Sequence, residues 1–454
     1  MRLISEDILI DSGQQTPTYP AVYPALEGFE FANPASWTGG HPFEHYRRMR
    51  ESAPIMWSPA PKGMSGFWSV TRYEDIKAAE LAHSSFSSQR GSINMAVPER
   101  KNWRPEKLMP AAYNSLINMD EPIHREMRMQ QSAYFFPAYV ESLRQRVGVK
   151  IDALLDDLER RGPVVDFAKH FSEELPLFTL CEMLGIDEEE REQVKTWMHH
   201  LELAGQFLTN PVQTFFSEPM FPFRFNRVVE EMFAYGEAVM ADRRARPRQD
   251  LLTVIAQSEL DGEPLSQEFL DGSWLLIIFA GNDTSRNSLS GTIRLMTEFP
   301  DQRAMVLEDP ELIPRMSEEA LRMVSPVIHM RRTATEDREL NGQMIARDEK
   351  LILWYGAANR DPDVFPNPDT FDMHRPNVEK HLAFGHGVHK CLGSRIAKMQ
   401  LRMAFERIFE RFPQITWTGK QKVSPNALVH AISSLKVNLY GPGGKRPTQV
   451  AVPR

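Results

Sequence analysis

The sequence predicts a mainly α protein with small β-sheets, and three observations carry that expectation. Apolar residues in the middle of the chain recur at the helical period, strand-like runs are few and short, and one helical stretch is long enough to cross the molecule. In chain order, Phe67-Trp68-Ser69-Val70-Thr71 is rich in the aromatic and β-branched residues that suit a pleated surface, and predicts a strand. A helix over Tyr73 to Ala82 follows. Further helices are predicted over Val140 to Glu159, over Leu175 to Leu184, and over Arg227 to Arg244. Pro176 falls in the first turn of the second of these, where its missing N–H costs nothing.

After Pro264 a helix should start near Ser266 and run to about Glu298, where Phe299-Pro300 stops it. At ~1.5 Å per residue it would be roughly 50 Å long. Its centre, Leu275-Leu276-Ile277-Ile278-Phe279-Ala280, is apolar on every side, as in a helix buried all round. Polar residues inside it therefore need a reason. Beyond it the pattern predicts a helix around Pro314 to Met323 and strands near His329 to Thr335 and Lys350 to Tyr355. A proline-rich loop from Asp361 to Pro376 and a helix from about Ser394 to Phe412 complete the order.

With 42% hydrophobic and 25% charged residues in 454, the composition is globular and the chain can bury a large core. No repeat or low-complexity block divides it and its 33 prolines are scattered, so a single domain over 1–454 is expected, with 1–25 an extended N-terminal segment and 441–454 a C-terminal tail. A net charge of -8 argues against a nucleic-acid partner. Met1 to Pro20 carries Glu6, Asp7 and Asp11 and lacks the layout of a secretion signal. The longest uncharged apolar run, Trp274 to Ala280, falls far short of the ~20 residues of a membrane span. A soluble cytoplasmic protein is expected, whose two cysteines, Cys181 and Cys391, act as thiols and not as a disulfide.

The two thiols differ in setting. Cys181 sits in an apolar helical run, as an inert buried thiol does. Cys391 closes the loop Phe384-Gly385-His386-Gly387-Val388-His389-Lys390-Cys391-Leu392-Gly393, which feeds directly into a helix. A thiolate that binds metal must be deprotonated and shielded, and a helix N-terminus favours negative charge. Gly387 and Gly393 let the backbone turn tightly and approach a flat group without a Cβ in the way. Phe384 can cover the sulfur from water.

Within the long helix, Ala280-Gly281-Asn282-Asp283-Thr284-Ser285 interrupts the apolar run. Gly281 removes bulk and the Thr284 hydroxyl can bond back to a carbonyl one turn earlier, bending and opening the helix. An acid beside an alcohol is the pairing that can pass protons to reduced dioxygen.

The spacing Phe-x-x-Gly-x-x-x-Cys-x-Gly resembles the haem-binding signature of the cytochrome P450 family residue for residue, and Ala280 to Thr284 is similar to that family's Ala/Gly-Gly-x-Asp/Glu-Thr motif. The likeness runs from roughly Trp57 to Val437. It implies the cytochrome P450 fold, with the long central helix over a haem b (iron protoporphyrin IX). The absence of a Cys-x-x-Cys-His motif implies that the haem is held non-covalently. Cys391 would be the axial iron ligand, Asp283 the proton-relay carboxylate and Thr284 its hydroxyl partner. His124 and Arg128 in Asp120-Glu121-Pro122-Ile123-His124-Arg125-Glu126-Met127-Arg128, with Arg332 and His389, match the family's haem-propionate anchors. Glu319-Ala320-Leu321-Arg322 resembles the family's Glu-x-x-Arg element, with Arg375 as its partner, all three structural.

The family layout points to Ile277, Ala280, Val327, Ile328, Leu428 and Val429 as substrate contacts and to Phe207 through Phe225, with Phe207, Phe215, Phe216, Met220, Phe221 and Phe223, as a lid. All six contacts are apolar. The expected activity is therefore monooxygenation: a hydrophobic small molecule (terpene, hydrocarbon, aromatic, fatty-acid or steroid-like) hydroxylated with O2 and two electrons. No flavin or nicotinamide segment is evident, so a ferredoxin with its ferredoxin reductase is the implied supply. Lys390, Arg395 and Lys398 flank the thiolate side and can guide it. The wording of Gly281 to Asn287 is similar to the terpene- and alkane-hydroxylating branches. Two rivals are a haem-thiolate enzyme driven by peroxide, whose relatives usually lack the acid-alcohol pair, and a haem-based sensor, for which no signalling segment is present.

Overall fold

The computed structural model describes residues 26–59, 65–91, 93–95, 106–209 and 220–444. The helices used below are α1 (Tyr73–Leu81), α2 (Ile123–Gln131), α3 (Pro137–Arg161), α4 (Glu174–Leu184), α5 (Arg191–Thr209), α6 (Phe221–Ala245), α7 (Gln267–Glu298), α8 (Ile313–Val324) and α9 (Ser394–Arg411). The strands are β1 (Ile55–Ser58), β2 (Phe67–Val70), β3 (Phe86–Ser87), β4 (Val164–Asp166), β5 (His329–Ala334), β6 (Lys350–Trp354), β7 (Thr416–Val423) and β8 (Ile432–Asn438). Helices dominate and the sheets are small, as the period of the sequence requires. The predicted boundaries hold to within a few residues, except at α6, which starts earlier than the pattern indicated.

One sheet has the order β1-β2-β6-β5-β3, mostly antiparallel, with β6 and β2 parallel. A second, three-stranded sheet has the order β7-β8-β4, and two further sheets are two-stranded. α7 is the axis of the molecule. Its 32 residues, at ~1.5 Å each, span roughly 48 Å. It packs against α4, α5, α6, α8 and α9, which is why its middle is apolar on all faces. Trp274 fixes α6 across it: the indole N–H donates to the Met232 carbonyl at 3.0 Å, and a Cβ on Gly236 would lie 2.7 Å from the ring. The helical core shared by α3 to α9 is the largest buried cluster, and two smaller ones lie on the faces of the five-stranded sheet. Among the described residues no helix is long and apolar enough to cross a membrane.

Candidate active site

The cysteine loop is shaped by two left-handed glycines. Gly385 and Gly387 have φ of 66° and 63°, and a Cβ on Gly387 would lie 2.8 Å from the Glu80 carbonyl oxygen. Gly393 is different. Its φ of -79° suits any residue, and a Cβ there would meet no protein atom within 4 Å, so the loop's own fold does not demand glycine at this position. The Cys391 N–H donates to the Phe384 carbonyl at 2.8 Å, closing the loop just before α9. Cys391 is exposed, but to an internal cavity of about 320 Å³ that it lines. Burial pushes its thiol above the ordinary value, while the N–H groups of Gly393 and Ser394 and the charge of Arg128 favour the thiolate. A cation at the sulfur would tip that balance. Phe384 lines the same cavity, its ring 5.5 Å from the Lys398 ammonium. Cys181 is buried, and burial pushes its thiol up to about 12, away from the thiolate.

Across the cavity lies α7, unbroken through the notch. The Thr284 hydroxyl donates to the Ala280 carbonyl at 3.2 Å, the Ser288 hydroxyl to the Thr284 carbonyl at 2.8 Å, and the Asn287 amide to the Asp283 carbonyl at 2.7 Å. These back-bonds give the Thr284 and Ser288 hydroxyls and the Asn287 amide partners within the helix, which need not break there, while Asn282 Oδ1 is buried with no hydrogen-bond partner among the described residues. A Cβ on Gly281 would lie 3.2 Å from Leu180 of α4, which keeps the helix close to its neighbour. Asp283 stands 3.2 Å from the Arg286 guanidinium, which also reaches Glu202 of α5 at 3.3 Å. Burial nevertheless dominates and lifts the Asp283 carboxyl to about 6; Arg286 pulls it down and Glu202 pushes it further up. An acid of this kind exchanges protons near neutral pH.

A third feature is a crowded cationic edge. His124, Arg128, Arg332 and His389 all line the cavity. The His124 and His389 rings are 4.3 Å apart. Burial, then the charge of Arg128, lowers His124 to about 4, and burial with Arg332, His124 and Arg128 drives His389 well below its usual value. His124 Nδ1 is buried with no hydrogen-bond partner among the described residues. Such a cluster of mutually repelling donors is complementary to an anion.

The family profile described as Cytochrome P450 matches residues 33–438. The chain belongs to the cytochrome P450 family. It is 32% identical over 415 residues to linalool 8-monooxygenase of Pseudomonas putida, covering 91% of this chain and 99% of that one. Steroid C26-monooxygenase of Rhodococcus jostii is 28% identical over 454 residues, covering 99% and 92%. Among solved structures, a cytochrome P450 of Mycobacterium marinum in complex with pseudoionone superposes with a TM-score of 0.81 at 31% identity, covering 92% of this chain and 99% of that one. This cytochrome P450 is a monooxygenase, an oxidoreductase whose cofactor is haem b. The residues present fit that group: a thiol opening on the cavity, a glycine beside it with room for a flat ligand, and an edge of donors for two propionates.

In this P450 the structure places five of the six expected substrate contacts on the cavity wall. Ile277, Ala280, Val327, Leu428 and Val429 line the cavity. Ile328 does not. It is fully buried in the cluster with Trp37, Met56 and Trp354. The isolated bridge between Val327 and Val429 and the Ile328 N–H bond to the Leu428 carbonyl at 2.8 Å set the local path, so that Val327 and Met330 face the cavity while Ile328 faces away. Of the lid, Phe215 and Phe216 and the side chains of Phe207 and Phe223 lie outside the described residues; Met220 is exposed and Phe221 buried.

The Glu-x-x-Arg element is fully buried, not a surface pair. Glu319 accepts from Arg322 Nε at 2.8 Å and from Arg375 Nε at 2.9 Å. Arg322 also donates to the carbonyls of Asn359 and Pro368, and Arg375 to those of Asn367 and Thr370. One carboxylate and two guanidiniums thus hang the whole proline-rich loop ahead of the cysteine. Lys398 is partly committed elsewhere, 2.7 Å from Glu318, whereas Lys390 and Arg395 are exposed. Sequence reasoning missed Glu202 and Arg286 behind Asp283, and Glu80 at the cationic edge. Arg286 was open to reading as a helical neighbour of Asp283; Glu202 and Glu80 come from distant helices and leave no local signal.

Proposed function

We propose that this cytochrome P450 hydroxylates a hydrophobic small molecule, terpene, hydrocarbon, aromatic or steroid-like, at an unactivated C–H bond, with two electrons from a ferredoxin and its reductase in the cytoplasm. The observation that carries the reading is that Cys391, the Asp283-Thr284 pair and an apolar wall border one cavity. The haem, once bound, supplies oxygen activation at iron.

Cys391 would hold the iron, and His124, Arg128, Arg332 and His389 would hold the propionates. Arg128 is braced by its bond to the Lys390 carbonyl at 2.6 Å, and His389 by Ser88 at 3.1 Å. Asp283, near half-protonated at pH 6, gives up a proton and regains one through the Arg286-Glu202 side. Thr284 relays it, since among the described residues its hydroxyl is held by a single bond of 3.2 Å and can turn toward the cavity. Ile277, Ala280, Val327, Leu428 and Val429 exclude water and admit an apolar ligand. On the sulfur side, exposed Lys390 and Arg395 suit an acidic ferredoxin.

The test begins with the reduced protein under carbon monoxide, whose absorption should move to the red-shifted position of thiolate ligation and lose it in Cys391→Ser. A spectrum that Cys391→Ser leaves unchanged overturns the ligand assignment. A panel of terpenes, steroids and hydrocarbons is then screened for a low-to-high-spin shift and for oxygenated product with a ferredoxin and reductase.

A further inference from the structure

Glu80, in the last turn of α1, has no part in the chemistry above, yet it is buried and lines the cavity. Its Oε1 accepts from the Tyr355 hydroxyl at 2.6 Å and faces Arg332 at 3.7 Å. Its Oε2 is buried with no hydrogen-bond partner among the described residues. Its main chain packs so tightly on the cysteine loop that the Gly387 Cβ position is closed by the Glu80 carbonyl, and Gly385 Cβ would lie 3.3 Å from Oε1. One carboxyl therefore touches both halves of the cofactor's seat, the Arg332 anchor and the loop that carries Cys391. A buried carboxylate with an unused oxygen is costly.

We propose that Glu80 is a positioning residue for the haem, fixing Arg332 against the cysteine loop and, through its own charge, setting the reduction potential of the iron. The proposal rests on the haem-thiolate reading. A negative charge beside the haem favours the oxidised iron, which carries one positive charge more than the reduced one, so ionised Glu80 lowers the potential and neutral Glu80 raises it. When one electron from the ferredoxin-class donor reduces the iron, ionised Glu80 takes up part of a proton from water in compensation. The groups that face it are Arg332 from β5, Tyr355 from the short helical turn after β6, and the N–H of His386 from the cysteine loop. Burial lifts its carboxyl to about 7, and all three of those groups pull the other way.

The experiment is a mediated redox titration of the substrate-free holoenzyme from pH 6 to pH 9, comparing the wild type with Glu80→Gln and Tyr355→Phe. The wild-type potential should fall as pH rises. Glu80→Gln should sit near the wild type's acid limit and lose the slope. Tyr355→Phe removes a bond that favours ionised Glu80, so the same fall should shift to higher pH. A Glu80→Gln profile that matches the wild type overturns the proposal. If Glu80→Gln does not retain haem, Tyr355→Phe decides alone, and an unmoved profile overturns it. The carbon monoxide spectrum keeps the two failures apart: with the thiolate signature intact and the potentials unaltered, only the role of Glu80 falls.

Discussion

Asp283→Asn tests whether the relay acid is held up by burial. The rise from 3.8 to about 6 is worth roughly 3 kcal/mol at ~1.4 kcal/mol per pH unit. The side chain is only 18% exposed, so solvent screens little of this. The sign follows from where the proton binds more tightly. A folded-state value above the unfolded one means that the folded protein gains stability as pH falls through about 6 toward 3.8, and that ionised Asp283 costs the fold stability above pH 6. Asparagine resembles the neutral acid and cannot ionise. The stability of Asp283→Asn relative to wild type must therefore increase with pH, whatever constant offset the amide brings through Arg286. About half of the total, on the order of 1 kcal/mol, should appear between pH 5 and pH 8, measured as the difference in denaturation free energy of matched holoenzymes. In the same variant, product per electron consumed should fall, with a rate loss on the order of 10²-fold or more. A stability gap that stays constant with pH would refute the buried-acid argument, even if activity were lost.

Thr284→Ala should keep the haem and its spectrum while diverting electrons into hydrogen peroxide; undiminished coupling to product, with peroxide assayed alongside, would argue against the hydroxyl. Glu319→Gln leaves Arg322 and Arg375 buried without a carboxylate, and should cost about 3–5 kcal/mol with loss of bound haem on gentle heating. The exposed pair Glu44 and Arg47 is the control, where Glu44→Gln should change stability by less than about 1 kcal/mol. Val429→Phe should weaken the spin shift of large ligands more than of small ones. Ile328→Val should cost only ~0.5–1.5 kcal/mol in thermal stability and leave the ligand spectrum alone; a changed ligand range in that variant would return Ile328 to the cavity wall.

What was legible in the sequence was whatever one element carries by itself. α7 announced its burial through an apolar run on all faces, and its notch through the polar residues that break it. The cysteine loop could be read because the glycines and the thiol lie within ten positions. Facing was harder. Ile328 was assigned to the cavity with Val327, but the bridge from Val327 to Val429 redirects the strand entry, and that bridge pairs residues a hundred positions apart. Burial was harder still. Glu319 and Arg322 three apart look like many surface pairs, and only the packing of the loop bearing Arg375 makes them part of the core. The Glu202-Arg286-Asp283 contact and the Glu80 carboxyl depend on helices far apart in sequence meeting at the cavity, which no local pattern encodes.

The electrostatics of the cavity select one kind of occupant. A bare metal ion would answer the raised thiol of Cys391, but it would worsen the repulsion already felt by His124 and His389 from Arg128 and Arg332. A simple anion would satisfy that edge, but it would push the thiol further from ionisation. A single group that is cationic where it meets sulfur, anionic at its rim and flat enough to pass over Gly393 meets both demands. Iron protoporphyrin has that distribution of charge. The buried carboxyls then divide by place: Asp283 stands across from the sulfur, where the proposed proton exchange would serve dioxygen, and Glu80 stands at the cationic edge, where on our proposal a proton gained or lost would change the field at the iron.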